Sequence, residues 1–473
     1  MMVVSIPLTE AATLKAGAAV TDITPKDFPM NMPGGFTAKL ATSAHDPLTA
    51  RALVLDDGKT KIAWVVIDHL SVPRKVSAEA KEIASKATGI PVEHMLVSAT
   101  HTHTGVSAAD ELVVALPDGP KLSDRQVKAN AYRKIMLEGI SQAIIQAHGK
   151  LRPALAGAAA QPLPGEVFNR RWFLKPGKML PNPFGEIDQV KMNPNNSPDM
   201  LDRPAGPTDP DITILSLQDT KRKPLALFAN YSLHYVGGMS PGQVSADYYG
   251  EFARLMPSRV HGDEGFVAAM SNGTSGDINN NPFGSSRPPR EPFEQIRIVA
   301  GEAADTAWKA YREIGVHRAD VKLGMVQRVI ALKYRRPTPE QVLNAKAILA
   351  IKDKEAIERL PRLATNYARS TVAAATRPEE TLDIMLQAIQ VGDLVICAIP
   401  FETFAETGLE LKKKSTFTRT MVVGLGNGRH GYLPTSAQHE LGGYETWLGT
   451  NVVQKDAAEI IVKNLLEMMG ELR

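Results

Sequence analysis

Runs of apolar, β-branched residues recur between helix-like stretches, and this alternation restricts the chain to an α/β architecture. Lys61–Asp68 (KIAWVVID) reads as a buried strand and His94–Ala99 (HMLVSA) as another. Between them Ser77–Thr88 has helical character, with Gly89 placed to stop it. Asp124–His148 predicts a long helix, also followed by a glycine. Asp211–Leu217, Leu225–Tyr231, Phe266–Met270 and Thr420–Leu425 are further strands. Leu382–Gln390 and Leu394–Ile399 predict a hairpin across Val391-Gly392-Asp393. Glu294–Gly315, Pro339–Ile351 and a closing amphipathic Ala457–Met469 predict helices. Pro181–Pro210 and Asn279–Pro292 are rich in loop formers. Such stretches serve either as lids and binding rims or as plain surface insertions. A chain of 473 residues allows one to three domains. No linker divides it and no repeat recurs, so one large domain is expected.

Composition excludes some functions. The apolar share of 43% and charged share of 22% are those of a soluble globular protein. The formal charge is only +3, with scattered Lys and Arg, which argues against a nucleic-acid-binding face. Cys397 is the sole cysteine, so neither an intrachain disulfide nor a cysteine-based zinc site can form. No segment supplies the ~20 apolar residues of a membrane-spanning helix. Met1–Ala12 is mildly apolar without the basic start of a signal peptide, and reads as a tail or as the remnant of one. The compartment stays open, a periplasmic or secreted location being preferred over a cytoplasmic one.

The chemistry-bearing residues begin at Val97–Gly105 (VSATHTHTG), where His101 and His103 follow directly on a strand. α/β sheets commonly carry ligand sites at that end of a strand. A division of labour suits the pair, one imidazole binding a metal and the other serving as acid, base or oxyanion donor. The hydroxyls of Thr100, Thr102 and Thr104 are candidates for fixing an imidazole tautomer. Alone, an HxH is as readily two structural histidines.

The motif resembles the SGTHTHSGPGG stretch of the neutral ceramidases, zinc amidases that split ceramide into sphingosine and fatty acid. Other segments, in order along the chain, are similar to the same family. Leu14–Pro25 (LKAGAAVTDITP) is like its opening, and Asn169-Arg170 like its N-R pair. Asn230–Gly237 (NYSLHYVG), Ser245-Ala246-Asp247 and Ile399–Glu402 (IPFE) follow. Tyr432–Glu445 (YLPTSAQHELGGYE) reproduces the family's paired tyrosines twelve residues apart. The resemblance implies a single large mixed-sheet catalytic domain over residues 13–473, without the C-terminal β-sandwich of the ceramidases. It implies zinc held by His101, His234, Glu402 and Tyr432, and a site around the scissile carbonyl lined by His103, Arg170 and Tyr444. Singly, His234 reads as a core histidine, Glu402 as the cap of a helix over Thr403–Lys414, the tyrosines as packing and Arg170 as a surface cation or a salt-bridge partner.

Two neutral imidazoles and a carboxylate form a common set for catalytic zinc, which makes hydroxide available near pH ~7. Tyr432 is the unusual member, a weaker ligand. His103 suits a general acid or base, and Arg170 and Tyr444 suit stabilisation of an oxyanion. The expected function is therefore zinc-dependent hydrolysis of an amide or ester in a small-molecule or lipid-like substrate. Non-acyl chemistry on the same metal, for example on a carbohydrate, and a non-catalytic metal-stabilised binding protein are the alternatives. Ala268–Pro282 departs from the family pattern: Asn279 stands where the family has a catalytic serine. An amide is no nucleophile. Either water attacks, with Asn279 donating a hydrogen bond to substrate, or Ser271 or Ser275 takes part. Val106-Ser107-Ala108 also replaces the family's glycines. Ceramide itself is a doubtful substrate.

Overall fold

Strands that are apolar on both faces need cover on both sides, and the computed structural model supplies it in four layers. It describes residues 14–36, 39–110, 122–285 and 287–473, so the Met1–Ala12 tail lies outside the described residues. The central layer is an eight-stranded sheet. From one edge to the other it runs Val267–Asn272, Pro224–Tyr231, Asp211–Asp219, Arg152–Pro162, Lys15–Asp22, Thr49–Asp56, Lys61–Ile67 and Met95–Ala99. Only the two outermost pairs are parallel; the rest are antiparallel, so the sheet is mixed as expected. A second sheet of four strands, Leu323–Lys333, Thr381–Val391, Leu394–Ile399 and Arg419–Gly424, packs on it and ends in another parallel pair.

The two-residue period of a strand sorts its side chains between layers. In Lys61–Ile67, Ala63, Val65 and Ile67 face helices Arg74–Thr88 and Asp124–Gly149. Ile62, Trp64 and Val66 face the second sheet, meeting Ile389, Ile396, Met421 and Val423 in an inter-sheet core. Helices Asp247–Val260 and Glu294–Glu313 cover the rest of the central sheet's outer face through Phe252, Ile296 and Val299. Helix Ala457–Leu472 closes the far side of the second sheet with Ile461, Leu465 and Met468. The layer order is helix, sheet, sheet, helix. Each large side chain buried this way contributes about 1.5–3 kcal/mol.

The hairpin forms as expected, Val391 pairing with Leu394 and Gly392 turning the chain at φ 60°. Two expectations are corrected. Pro181–Pro210 is not all loop: Val190–Met192 and Leu201–Pro204 flank Arg171–Leu174 in a three-stranded sheet. Glu402 does not cap a helix. Helix Ala405–Lys414 starts three residues later, and Glu402–Thr403 instead pairs in parallel with Tyr432–Leu433. No helix of the described residues is long and apolar enough to cross a membrane.

Candidate metal centre and cavity

Three parallel strand pairs deliver the functional residues to one place. Met95–Ala99 leads into His101, Pro224–Tyr231 into His234, and Leu394–Ile399 into Glu402; Tyr432 follows Arg419–Gly424. Each of these residues lies just beyond the C-terminal end of a strand in a parallel pair, the end at which such strands commonly carry ligand sites. The chain turns sharply at His101, whose φ of 69° is left-handed. For a residue with a Cβ this costs of order 1–3 kcal/mol and recurs at functional sites. A bond from His101 N–H to the His69 carbonyl (2.9 Å) holds the turn.

His101 Nδ1 lies 2.6 Å from the Leu70 carbonyl, and His234 Nδ1 lies 2.9 Å from the Ser275 carbonyl. A carbonyl only accepts, so each Nδ1 carries the proton and each Nε2 presents a lone pair. The lone pairs face one another. Nε2 of His101 lies 3.0 Å from that of His234 and 3.2 Å from that of His103, and the remaining separation is 3.3 Å. Glu402 Oε2 stands 3.3 Å from His101 Nε2. Two deprotonated nitrogens cannot hydrogen-bond, and nothing anionic belongs beside them unless a cation lies between. Zinc–nitrogen bonds of about 2.0–2.1 Å in a tetrahedron put ligand atoms roughly 3.3 Å apart. The residues therefore fit a divalent metal, and His101, His103 and His234 form a cluster of metal-binding size.

The electrostatics agree. Burial, reinforced by the other imidazoles, holds His103 and His234 well below the usual imidazole range, so both are neutral near pH 7. Burial works to raise the Glu402 carboxyl, but His101, Arg429 and His234 outweigh it and hold it well below the usual carboxylate range. Burial and the Glu402 charge push the Tyr432 phenol well above its usual range, which fits a weak ligand.

Above this centre lies a cavity of about 180 Å³. His103, Arg170, Glu402, Tyr432 and Tyr444 all line it, so the structure brings together the sequence-predicted ligands and cavity residues, but not Asn279, Ser271 or Ser275. Arg170 is held from two sides: its N–H bonds the Asp277 carbonyl (2.8 Å) and its Nε bonds Glu445 Oε1 (3.0 Å). Glu445 is fully buried and also takes Arg171 Nη1 at 2.7 Å. Arg170 Nη2 is buried with no hydrogen-bond partner. A buried donor left unpaired costs about 1–3 kcal/mol, and at this position a ligand is the natural acceptor.

Asn279 is not a cavity wall. Its Nδ2 donates to Asn193 Oδ1 (2.5 Å) and its Oδ1 accepts from Asn281 N–H (2.9 Å). Both ends of the amide are thus committed to the protein, and Asn193 is the residue that faces the cavity. Ser271 and Ser275 stay out as well, donating to the Ala229 carbonyl and to Asn272 Oδ1. Nor do the threonines fix a tautomer. Thr102 and Thr104 both donate to the Ser245 carbonyl, anchoring the loop, while main-chain carbonyls orient the imidazoles.

Three neighbours carry no signal that singles them out in the sequence. Arg429 puts Nε and Nη2 within 3.0 and 2.9 Å of Glu402 Oε1, leaving Oε2 for the centre. Tyr235 stacks on His103 with centroids 3.7 Å apart. Gly34 lies so close that a Cβ there would sit 2.1 Å from the His103 carbonyl oxygen, so the loop fits only as glycine. Arg429 lies three residues before Tyr432 and Tyr235 one after His234, and that adjacency is the only hint of either.

Asp277 couples the two halves of the site. Its Oδ1 accepts from Ala405 N–H and its Oδ2 from Asn169 Nδ2, each at 2.8 Å. Burial pushes its carboxyl up to about 7 although these bonds favour the charged form. The folded value lies above the unfolded ~3.9. The stability it contributes is therefore complete below about pH 4 and lost as pH rises through about 7. Urea denaturation at pH 5 and pH 8 should show the wild type losing about 2–3 kcal/mol more than Asp277→Asn over that interval. Parallel losses would mean that Asp277 does not titrate in this range.

The family model described as neutral/alkaline non-lysosomal ceramidase, N-terminal, matches residues 14–289. The fold is similar to the crystal structure of neutral ceramidase from Pseudomonas aeruginosa, with a TM-score of 0.71 at 16% identity, covering 98% of this chain and 75% of that one. A structure described as ceramidase complexed with C2 matches with the same score, identity and coverage. The family match spans more than half of the chain and takes in His101, His103, Arg170 and His234. The chain belongs to the neutral/alkaline non-lysosomal ceramidase family.

Proposed function

We propose that the chain is a metal-dependent hydrolase of an amide or ester bond, with zinc held by His101, His234, Glu402 and Tyr432. One observation carries this reading: inward-facing imidazole lone pairs beside Glu402 lie under a cavity walled in part by the buried guanidinium of Arg170. Membership of a family named for ceramidases supports acyl chemistry over the carbohydrate and binding-protein alternatives. Zinc in this position supplies Lewis acidity, polarising a carbonyl oxygen and making hydroxide available near neutral pH.

The side chains supply the rest. His103, neutral and stacked on Tyr235, takes a proton from the attacking water and returns it to the leaving nitrogen or oxygen. The water oxygen bonds to the acyl carbon, the carbon–nitrogen or carbon–oxygen bond breaks, and a carboxylic acid and an amine or alcohol result. Arg170 Nη2 and the Tyr444 hydroxyl donate to the carbonyl oxygen as it gains charge. No nucleophilic serine is needed, which accommodates Asn279.

The three nearly equal Nε2 separations also favour a second reading, in which His103 is a third nitrogen ligand. The two readings separate on His103→Ala. As general base, its loss leaves one metal per chain and lowers kcat/KM by about 10²–10⁴, with the acidic limb that its protonation causes gone from the pH profile. As ligand, its loss empties the centre. Metal analysis of the purified variant distinguishes them.

A further inference from the structure

The cavity beside the candidate metal centre shares walls with two larger pockets of opposite character. One, of about 430 Å³, has an apolar body built by Met179, Leu180, Met192, Leu363 and Trp447. The other, of about 580 Å³, is lined by Tyr334, Asn366, Ser370, Arg377, Arg429 and Thr450 among others. Phe36 and Tyr444 are walls of both pockets and of the catalytic cavity, and meet edge-on at 5.3 Å. Arg429 and Tyr432 are shared between the polar pocket and the catalytic cavity.

The polar pocket has no Asp or Glu in its wall but two arginines. Arg429 is spent on Glu402. Arg377 lies over the Tyr334 ring, 4.0 Å from its centroid, and its guanidinium has no carboxylate partner among the described residues. A half-buried guanidinium with open donors, in a pocket without acids, is suited to a carboxylate or similar oxyanion. The apolar pocket differs: its Asp188 already accepts from Trp447 Nε1 and Asn182 Nδ2, while Arg359 and Arg362 stand exposed at its edge. Its wall is mainly apolar, with Lys191 its half-buried cation, and suits an aliphatic group.

From this division we infer that the substrate joins, through its scissile bond, an aliphatic group to a group bearing a carboxylate, as in an N-acyl amino acid. The inference rests on the hydrolase reading above but concerns recognition, so binding tests it independently of turnover. The probe is the ketone isostere of N-octanoylglycine, in which a methylene replaces the amide N–H so that no hydrolysis occurs. Its comparators are the same molecule with a primary amide in place of the carboxylate, and one shortened to an acetyl group.

Titration calorimetry on the metal-loaded protein should show the acid binding at least about tenfold more tightly than the amide. Arg377→Gln should erase that difference and leave binding of the amide unchanged. The acetyl analogue should bind at least about tenfold more weakly, and Leu180→Asp, at a side chain 69% exposed and so tolerant of change, should selectively weaken the octanoyl probe. Equal affinity for acid and amide, or an Arg377→Gln effect of the same size on both, overturns the inference. If the acid is preferred but N-octanoylglycine itself and a broad amide and ester panel are not hydrolysed, recognition stands and the hydrolase reading falls.

Discussion

Replacing His101 by alanine is expected to strip the protein of its metal and to lower turnover of its amide or ester substrate by at least about a thousandfold. His101 is the hub of the centre, with its Nε2 within 3.3 Å of His103, His234 and Glu402 and its Nδ1 locked by a main-chain carbonyl. Removing it leaves Glu402 without its closest centre partner and the other imidazoles with too few companions to chelate. Metal analysis after gel filtration, alongside turnover, checks the expectation. Because His101 is wholly buried, thermal melting of both metal-free proteins must accompany the test; similar curves assign the loss to chelation, not to unfolding. Retained metal and activity would exclude the proposed ligand set.

Replacing Arg170 by methionine should lower kcat about 10²–10³-fold, or about 2.7–4 kcal/mol of transition-state stabilisation, with the metal retained. The unpartnered Nη2 is worth most when negative charge develops opposite it, so KM should change far less than kcat. Lysine should not rescue. Arg170 bonds Glu445 through Nε while its guanidinium also walls the cavity, and an ammonium on a flexible stem cannot serve both places. Arg171 still pairs with Glu445 in the variant, which limits the structural damage. A kcat within about threefold of wild type would remove Arg170 from the reaction, since a well-placed donor is worth far more.

Much of this centre is legible in the amino-acid order alone, for a specific reason. Strands buried on both faces announce themselves as unbroken apolar runs, and the ends of Met95–Ala99 and Pro224–Tyr231 therefore locate His101 and His234. Ordered resemblance then links them with Glu402 and Tyr432. The remainder is set by contacts without a local signature. Strand Arg152–Pro162 is alanine-rich and starts beside a proline, so neither propensity nor pattern marks it, yet it joins the two halves of the central sheet.

Glu402 has the look of a helix cap because a helix does follow. Its short pairing with Tyr432 bridges segments thirty residues apart and leaves no trace in either. Asn279 reads from the resemblance as standing in for a catalytic serine, but its amide is claimed by Asn193 and Asn281, a commitment visible only in three dimensions. Arg429 carries an ordinary surface residue type; its role comes from the Glu402 oxygen beside it.

If two imidazoles and a carboxylate from distant strands hold one cation, anomalous diffraction at the zinc edge, on crystals of the protein as purified, will locate it. A single strong peak is expected about 2.0–2.2 Å from Nε2 of His101, Nε2 of His234 and Oε2 of Glu402. No peak at that point after soaking with zinc, or a fully occupied metal elsewhere with these nitrogens bare, would contradict that arrangement.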